Sequence, residues 1–112
     1  MSGYYLLKKS TAVQPYYFVL RAENHETILT SENYSSRQGA LNGIASCQSN
    51  SPNESRYERR SSLAAQPYTF VLKAMNGEII GRSENYTTEL SRETGIASVK
   101  FNGPTKDIRD QT

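Results

Sequence analysis

Gln14-Pro15-Tyr16-Tyr17-Phe18-Val19-Leu20 returns later in the chain as Gln66-Pro67-Tyr68-Thr69-Phe70-Val71-Leu72. The same spacing separates Ser31-Glu32-Asn33-Tyr34 from Ser83-Glu84-Asn85-Tyr86, and Gly43-Ile44-Ala45-Ser46 from Gly95-Ile96-Ala97-Ser98. Tyr5–Pro52 and Tyr57–Pro104 align without a gap, and 23 of their 48 paired positions are identical. A unit of this size buries too little surface to be comfortably stable alone, whereas two units can cover each other's apolar faces. The 112 residues therefore read as one domain made of two repeats, about 3–52 and 55–109.

Within each repeat the pattern changes from period two to helical spacing. Tyr68, Phe70, Leu72 and Ala74 alternate with Thr69, Val71 and Lys73. That is a strand whose larger apolar set faces inward. Pro67 is tolerated at its start because no ladder hydrogen bond is lost there. Asn76-Gly77 favours a type I′ hairpin turn, with Asn24-His25 in the matching slot. Glu78–Glu84 returns as the third strand, with Ile80 in the core, and the polar stretch Tyr57–Ser62 supplies a first strand.

Helices are expected over Arg37–Ser49 and Glu89–Phe101. Ser35 or Ser36, and Thr87 or Thr88, are the N-caps, and Ser35 with Gln38 fits a capping box. Leu41, Ile44 and Cys47, and Ile96 with Val99, form the inward stripes. Asn50 and Asn102-Gly103 are stop signals, and Pro52 and Pro104 prevent continuation. Gly43 and Gly95 each cost about 1 kcal/mol in a helix interior. Their recurrence implies a close backbone approach by a neighbouring element. Glu54–Ser62 and Thr105–Arg109 follow the helices as further strand segments. The sum is an α+β fold: two tandem β-β-β-α-β repeats in one mostly antiparallel sheet. Six to eight strands are expected, with both helices on one face, a pseudo-two-fold axis, and the other face solvated.

Composition narrows the class. The net charge is +2, well short of a dedicated nucleic-acid binder. A single cysteine, Cys47, precludes an internal disulfide, so no oxidising compartment is required. The polar start Ser2–Lys9 is unlike a signal peptide, and no apolar run is long enough to span a membrane. The expectation is a soluble cytoplasmic monomer that does not engage a membrane. Asn33, Asn53 and Asn85 match the glycosylation pattern only by chance in that setting.

The order Y-x-F-x-L-x-A-x-N-G-E, then S-E-x-Y, then G-I-A-S-V-K resembles the YegP-like family of small uncharacterised bacterial proteins. Phe70, Leu72, Ala74, Asn76, Gly77, Ser83, Tyr86, Gly95, Ile96, Ser98 and Val99 carry the resemblance in the second repeat. Phe18, Leu20, Ala22, Asn24, Ser31, Tyr34, Gly43, Ile44 and Ser46 carry it in the first. The resemblance implies a β-β-β-α-β unit paired into a single sheet. It also implies that this chain corresponds to a fused dimer of one-repeat relatives. His25 and Cys47 depart from the family's Gly and Val. No activity comes with the resemblance.

Candidate sites are few. His25 sits alone in a turn, without the partners that catalysis or a metal needs. Cys47 reads as a buried hydrophobe rather than a nucleophile. Glu26 with Glu78, and Glu32 with Glu84, could pair for acid–base work only if they flank the axis. No nucleotide, cofactor or nucleophile motif occurs, so the reading assigns no catalytic, cofactor or metal residues and no cofactor.

The leading expectation is a non-enzymatic binding module that meets a protein partner through its open sheet face or a sheet edge. A second is weak single-stranded nucleic-acid binding by Tyr17, Val19, Arg21, Thr69, Val71 and Lys73. Lys8, Lys9, Arg56, Arg59 and Arg60 would add charge to that surface. A third is a small-molecule enzyme at the seam between repeats, which a seam without a polar pocket would remove.

Overall fold

A computed structural model describes residues 3–112. Met1 and Ser2, at the head of the polar start, lie outside the described residues. The first repeat contributes β1 (Tyr4–Lys9), β2 (Tyr16–Arg21), β3 (Thr27–Ser31) and α1 (Arg37–Asn50). A 3-10 turn over Glu54–Arg56 leads into β4 (Tyr57–Ser61), β5 (Tyr68–Lys73), β6 (Ile79–Arg82), α2 (Glu89–Asn102) and β7 (Ile108–Asp110). The seven strands form one sheet in the order β4-β5-β6-β3-β2-β1-β7. All pairs are antiparallel except β1 with β7. The fold is α+β, as expected.

The pseudo-two-fold axis passes through the seam between β3 and β6, where Thr30 pairs with its own counterpart Arg82. Tyr5, Phe18, Leu20, Leu29, Ile44, Cys47, Phe70, Leu72, Ile96 and Val99 form a single buried cluster drawing on both repeats. At the axis, non-identical counterparts complement each other. Leu29 fills the space left by Gly81, where a Cβ would lie 2.9 Å from Leu29 Cγ. The two helix ends meet in the same way, for a Cβ on Gly103 would overlap Ser51 Oγ.

Several local expectations are corrected. The hairpin turns are not type I′. His25 N–H donates to Ala22 C=O, and Gly77 N–H to Ala74 C=O, both at 2.9 Å. Only the third loop residue has positive φ: His25 at 71° and Gly77 at 87°. This is a three-residue loop, a type I turn followed by a bulge residue. A separate bulge follows on the returning strand, where Ile28 and Ile80 are the extra residues at the register shifts beside Leu20 and Leu72. Asn24 and Asn76 serve by accepting from the N–H of Glu26 and Glu78.

Ser36, not Ser35, caps α1 by accepting from Gly39 N–H at 2.9 Å, and Gln38 bonds Asn42 instead of closing a capping box. Thr88 caps α2. Each helix runs one residue further than expected, because Asn50 and Asn102 turn their amides back to the Ser46 and Ser98 carbonyls. Glu54–Ser62 is not one strand but a 3-10 turn and then β4. The third strand shortens to Ile79–Arg82, and the C-terminal one starts at Ile108.

The face away from the helices is not simply solvated. Tyr4, Leu6 and Val19 bury one another there beneath Tyr17, and Val71 is buried beside Glu58 and Lys73.

Gly43 and Gly95 admit a side chain, not a neighbouring backbone. The Tyr34 ring runs under α1, and a Cβ at Gly43 would lie 2.7 Å from its Cζ and overlap its Oη. Tyr86 does the same beneath Gly95. Tyr34 cannot retreat, because its ring stacks on Phe18 and its backbone exchanges two hydrogen bonds with Tyr16. Gly43→Ala should therefore lose about 1–3 kcal/mol from overpacking, despite alanine's helix preference. Denaturant midpoints check this, and an unchanged or raised midpoint would contradict the packing account. The matched change Gly95→Ala should cost the same.

Candidate ligand-binding clefts

The strand order decides what the helices face. Because β3 pairs with β6, each repeat's hairpin lies against the other repeat's helix. The β2–β3 hairpin and α2 enclose a cleft of about 480 Å³, lined by Ala22, Asn24, Glu26, Ile28, Tyr86, Leu90, Ser91, Thr94, Gly95 and Ser98. The β5–β6 hairpin and α1 enclose its symmetry mate, about 220 Å³, lined by Tyr34, Gly39, Asn42, Gly43, Ser46, Ala74, Asn76, Glu78, Ile79 and Ile80. Seven of the ten residues in the larger cleft are identical to their counterparts in the other repeat: Ala22, Asn24, Glu26, Ile28, Tyr86, Gly95 and Ser98.

Most of these identities have structural duties. The asparagines close the turns, the glycines admit the tyrosine rings, the isoleucines are core, and Ser46 and Ser98 take the Asn50 and Asn102 amides. Glu26 and Glu78 do not share this role. Both carboxylates are exposed and make no salt bridge among the described residues.

The cleft tyrosines complement them. Among the described residues only Tyr4, Tyr5 and Tyr57 hydrogen bond through their hydroxyls, which leaves those of Tyr34 and Tyr86 free. Burial, and then the nearby carboxylates, push both hydroxyls above the usual phenol range, so they stay protonated donors. Glu78 acts on Tyr34 and Glu26 on Tyr86, each across the repeats. Each cleft thus offers one carboxylate, one phenol hydroxyl and further hydroxyls over an aliphatic floor. That set accepts a cation or hydrogen-bond donor. It holds no pair of nucleophile and base.

The residues singled out in the sequence fall elsewhere. His25 Nδ1 bonds Tyr4 Oη at 2.7 Å in the first hairpin turn. Cys47 is fully buried, and burial pushes its thiol up to about 12. Glu26 and Glu78 precede Thr30 and Arg82 on antiparallel strands, so they lie at opposite ends of the seam, do not flank the axis and occupy different clefts. Glu32 pairs with Arg82 across the seam at 3.2 Å, and the Ser31 and Ser83 hydroxyls bond the Glu32 and Glu84 carbonyls. The Ser-Glu-Asn-Tyr motif is therefore a strand terminator. Its serine accepts the Phe18 or Phe70 N–H, and its tyrosine bridges to the start of β2 or β5.

Register places Leu6, Lys8, Tyr17, Val19, Arg21, Thr30, Thr69, Val71, Lys73 and Arg82 on the face without helices. Lys73 and Arg60 there are both held by Glu58 at 2.5 Å. Arg59 points to the helix side, where Glu93 and Glu54 hold it, and Arg56 bonds Asn50. Of the six outer-face pairs between repeats, such as Tyr17 with Thr69 or Leu6 with Glu58, only Val19 and Val71 are identical. Among the described residues no helix is long and apolar enough to cross a membrane.

The family described as "Domain of unknown function (DUF1508)" matches twice, over residues 14–58 and 64–110. The UPF0339 protein YegP of Escherichia coli K12 is 53% identical over 112 residues, covering 100% of both chains. A UPF0339 protein of Bordetella pertussis is 52% identical, covering 100% of this chain and 98% of its own. The solution NMR structure of the E. coli protein of unknown function yegP superposes with a TM-score of 0.91 at 52% identity, covering 100% of this chain and 95% of that one. The solution NMR structure of a UPF0339 protein from Shewanella oneidensis gives 0.89 at 49%, covering 98% and 92%. With both repeats matched and the identity extending along the whole chain, this protein belongs to the YegP-like DUF1508 family in its tandem-repeat form.

Proposed function

We propose that this chain is a non-enzymatic, cytoplasmic binding module, monomeric in itself, that grips a protein partner through the twin clefts. Each cleft seats one positively charged side chain, with the carboxylate of Glu26 or Glu78 as counter-charge and the Tyr86 or Tyr34 hydroxyl oriented by burial. The observation that carries this reading is where repeat identity concentrates. It is retained along the clefts, and there it includes Glu26 and Glu78, the one identical pair to which no turn, core or packing duty falls. It is lost across the open sheet face, where most counterparts differ. A buried protonated thiol and a single histidine tied up in a turn support a non-catalytic role.

An amide NMR titration with Nα-acetyl-lysine methylamide tests it. Shifts should map to Glu26, Tyr86 and Ser98, and to Glu78, Tyr34 and Ser46. They should disappear in Glu26→Gln with Glu78→Gln. The reading fails if the titration leaves these amides unmoved.

The second reading, single-stranded nucleic-acid binding, draws support from Tyr17 beside Lys8 and Arg21 on one face. Its cations Lys73 and Arg60 are, however, already held by Glu58. A single-stranded RNA titration should then move Tyr17, Arg21 and Thr69 and fade steeply with salt. Shifts there that persist at physiological salt would put this reading first.

A further inference from the structure

The two clefts share a frame but not a rim. Along α2, Leu90, Thr94, Ala97 and Phe101 recur at helical spacing on one face. Leu90 is 77% exposed and Phe101 is 66% exposed, and both lie on the same helix face. The counterparts on α1 are Gln38, Asn42, Ala45 and Ser49. So the second repeat carries an apolar ridge where the first is polar, although both helices bury their inner faces alike.

The ridge borders two neighbouring hollows. The 480 Å³ cleft ends beside Leu90, and a second hollow of about 430 Å³ runs on to Phe101. Both are walled by Ala22 and Asn24 of the β2–β3 hairpin. Together they form a groove between that hairpin and α2. From Leu90 to Phe101 it spans about 16 Å, at the helical rise of 1.5 Å per residue. The hairpin rim is acidic, for Glu23 and Glu26 both line it, and neither makes a salt bridge among the described residues. The chain as a whole carries a net charge of +2, so this acidic rim is a local feature.

We infer that this groove is the docking seat for a basic amphipathic segment of a partner protein, about three helical turns long. Its apolar side lies on Leu90 and Phe101, and its Lys or Arg side chains reach Glu23 and Glu26. The inference rests on the cleft reading above for the Glu26 contact. It adds that the two clefts are unequal, with only the α2 side binding an extended segment. Charge selects this occupant: an acidic peptide or an anionic membrane would meet Glu23 and Glu26 with repulsion.

The test uses a fluorescein-labelled 14-residue peptide of leucine and lysine in an amphipathic helical pattern, with a leucine–glutamate version as control. The full chain is compared with Leu90→Gln/Phe101→Ser, which gives α2 the residues that α1 already carries at those exposed positions. The expected result is at least tenfold weaker binding of the leucine–lysine peptide to the variant. Its amide shifts in the unsubstituted chain should centre on Leu90, Thr94, Phe101, Glu23 and Glu26. The acetyl-lysine titration of the α1-side cleft, whose lining contains neither substituted residue, should remain unchanged in the variant.

Equal binding by the variant, equal shifts on the α1 side, or equal binding of the leucine–glutamate peptide would each overturn the inference. A concentration-dependent dimer that the variant abolishes would assign the ridge to a second copy of this chain. Co-sedimentation with phosphatidylcholine–phosphatidylglycerol vesicles that the variant abolishes would assign it to a lipid surface. Either result overturns the proposal. If instead acetyl-lysine moves no cleft residue while the peptide still depends on Leu90 and Phe101, the cleft reading fails and the apolar seat stands.

Discussion

Native protein at pH 8 is expected to resist thiol reagents, with Cys47 reacting at least about a thousandfold more slowly than in the unfolded chain. The thiolate is the reactive form, and burial moves the thiol from 9.0 up to about 12, so its thiolate fraction falls by roughly that factor. Steric exclusion within the core slows the reaction further. Mixing with a chromogenic disulfide, with and without denaturant, measures it directly. Rapid labelling of folded protein would mean that the core opens around α1. Sign follows the same cause. A folded value raised above the unfolded one contributes stability that is complete below pH 9 and is lost as pH climbs towards 12. Tyr5 and Tyr57, also raised by burial, act in the same sense. Unfolding midpoints should therefore decline on the alkaline side.

Tyr5→Ala is expected to cost about 3–5 kcal/mol, a large share of the total stability of a small domain. Tyr5 is fully buried, meets Phe18 edge to face at 5.6 Å, and donates from its hydroxyl to the Gly103 carbonyl at 2.7 Å. That carbonyl ends α2, so one side chain fills the core and satisfies a helix terminus. Tyr57 repeats the arrangement with Phe70 and the Ser51 carbonyl at 2.6 Å. Tyr5→Phe keeps the packing and should cost only about 1–3 kcal/mol, the penalty for leaving a buried acceptor unpaired. Equal losses for the phenylalanine and alanine variants would sink this division between packing and hydrogen bonding.

The architecture was legible wherever a short window contains its own cause. The Tyr-x-Phe-x-Leu alternation marks β2 and β5, and the hydroxyl before each apolar stripe marks a helix start. What escaped depends on partners that no window contains. Val19 reads as outward, yet it is buried because β1 brings Tyr4 and Leu6 beside it. Asn76-Gly77 announces a hairpin, but the loop takes three residues and leaves Asn76 with ordinary φ. Gly43 signals a close approach without revealing that the Tyr34 ring makes it. The clefts were invisible for a stronger reason. Glu26 meets α2 and Glu78 meets α1 only because β3 adjoins β6, a pairing between repeats. One signal was available: Glu26 and Glu78 recur without a capping, turn or core duty to explain them.

The complementary pairs at the axis have a consequence for the chain's history and its engineering. A symmetric dimer presents the same residue twice at its axis, so a side chain there must tolerate its own image. Covalent duplication lifts that restriction. Leu29 can grow because Gly81 has yielded, and Ser51 can sit where Gly103 makes room. Two copies of the first half would crowd the centre with paired leucines and serines, and two copies of the second would leave it hollow. The halves have become specialised spouses rather than twins, and neither can be replaced by a duplicate of the other.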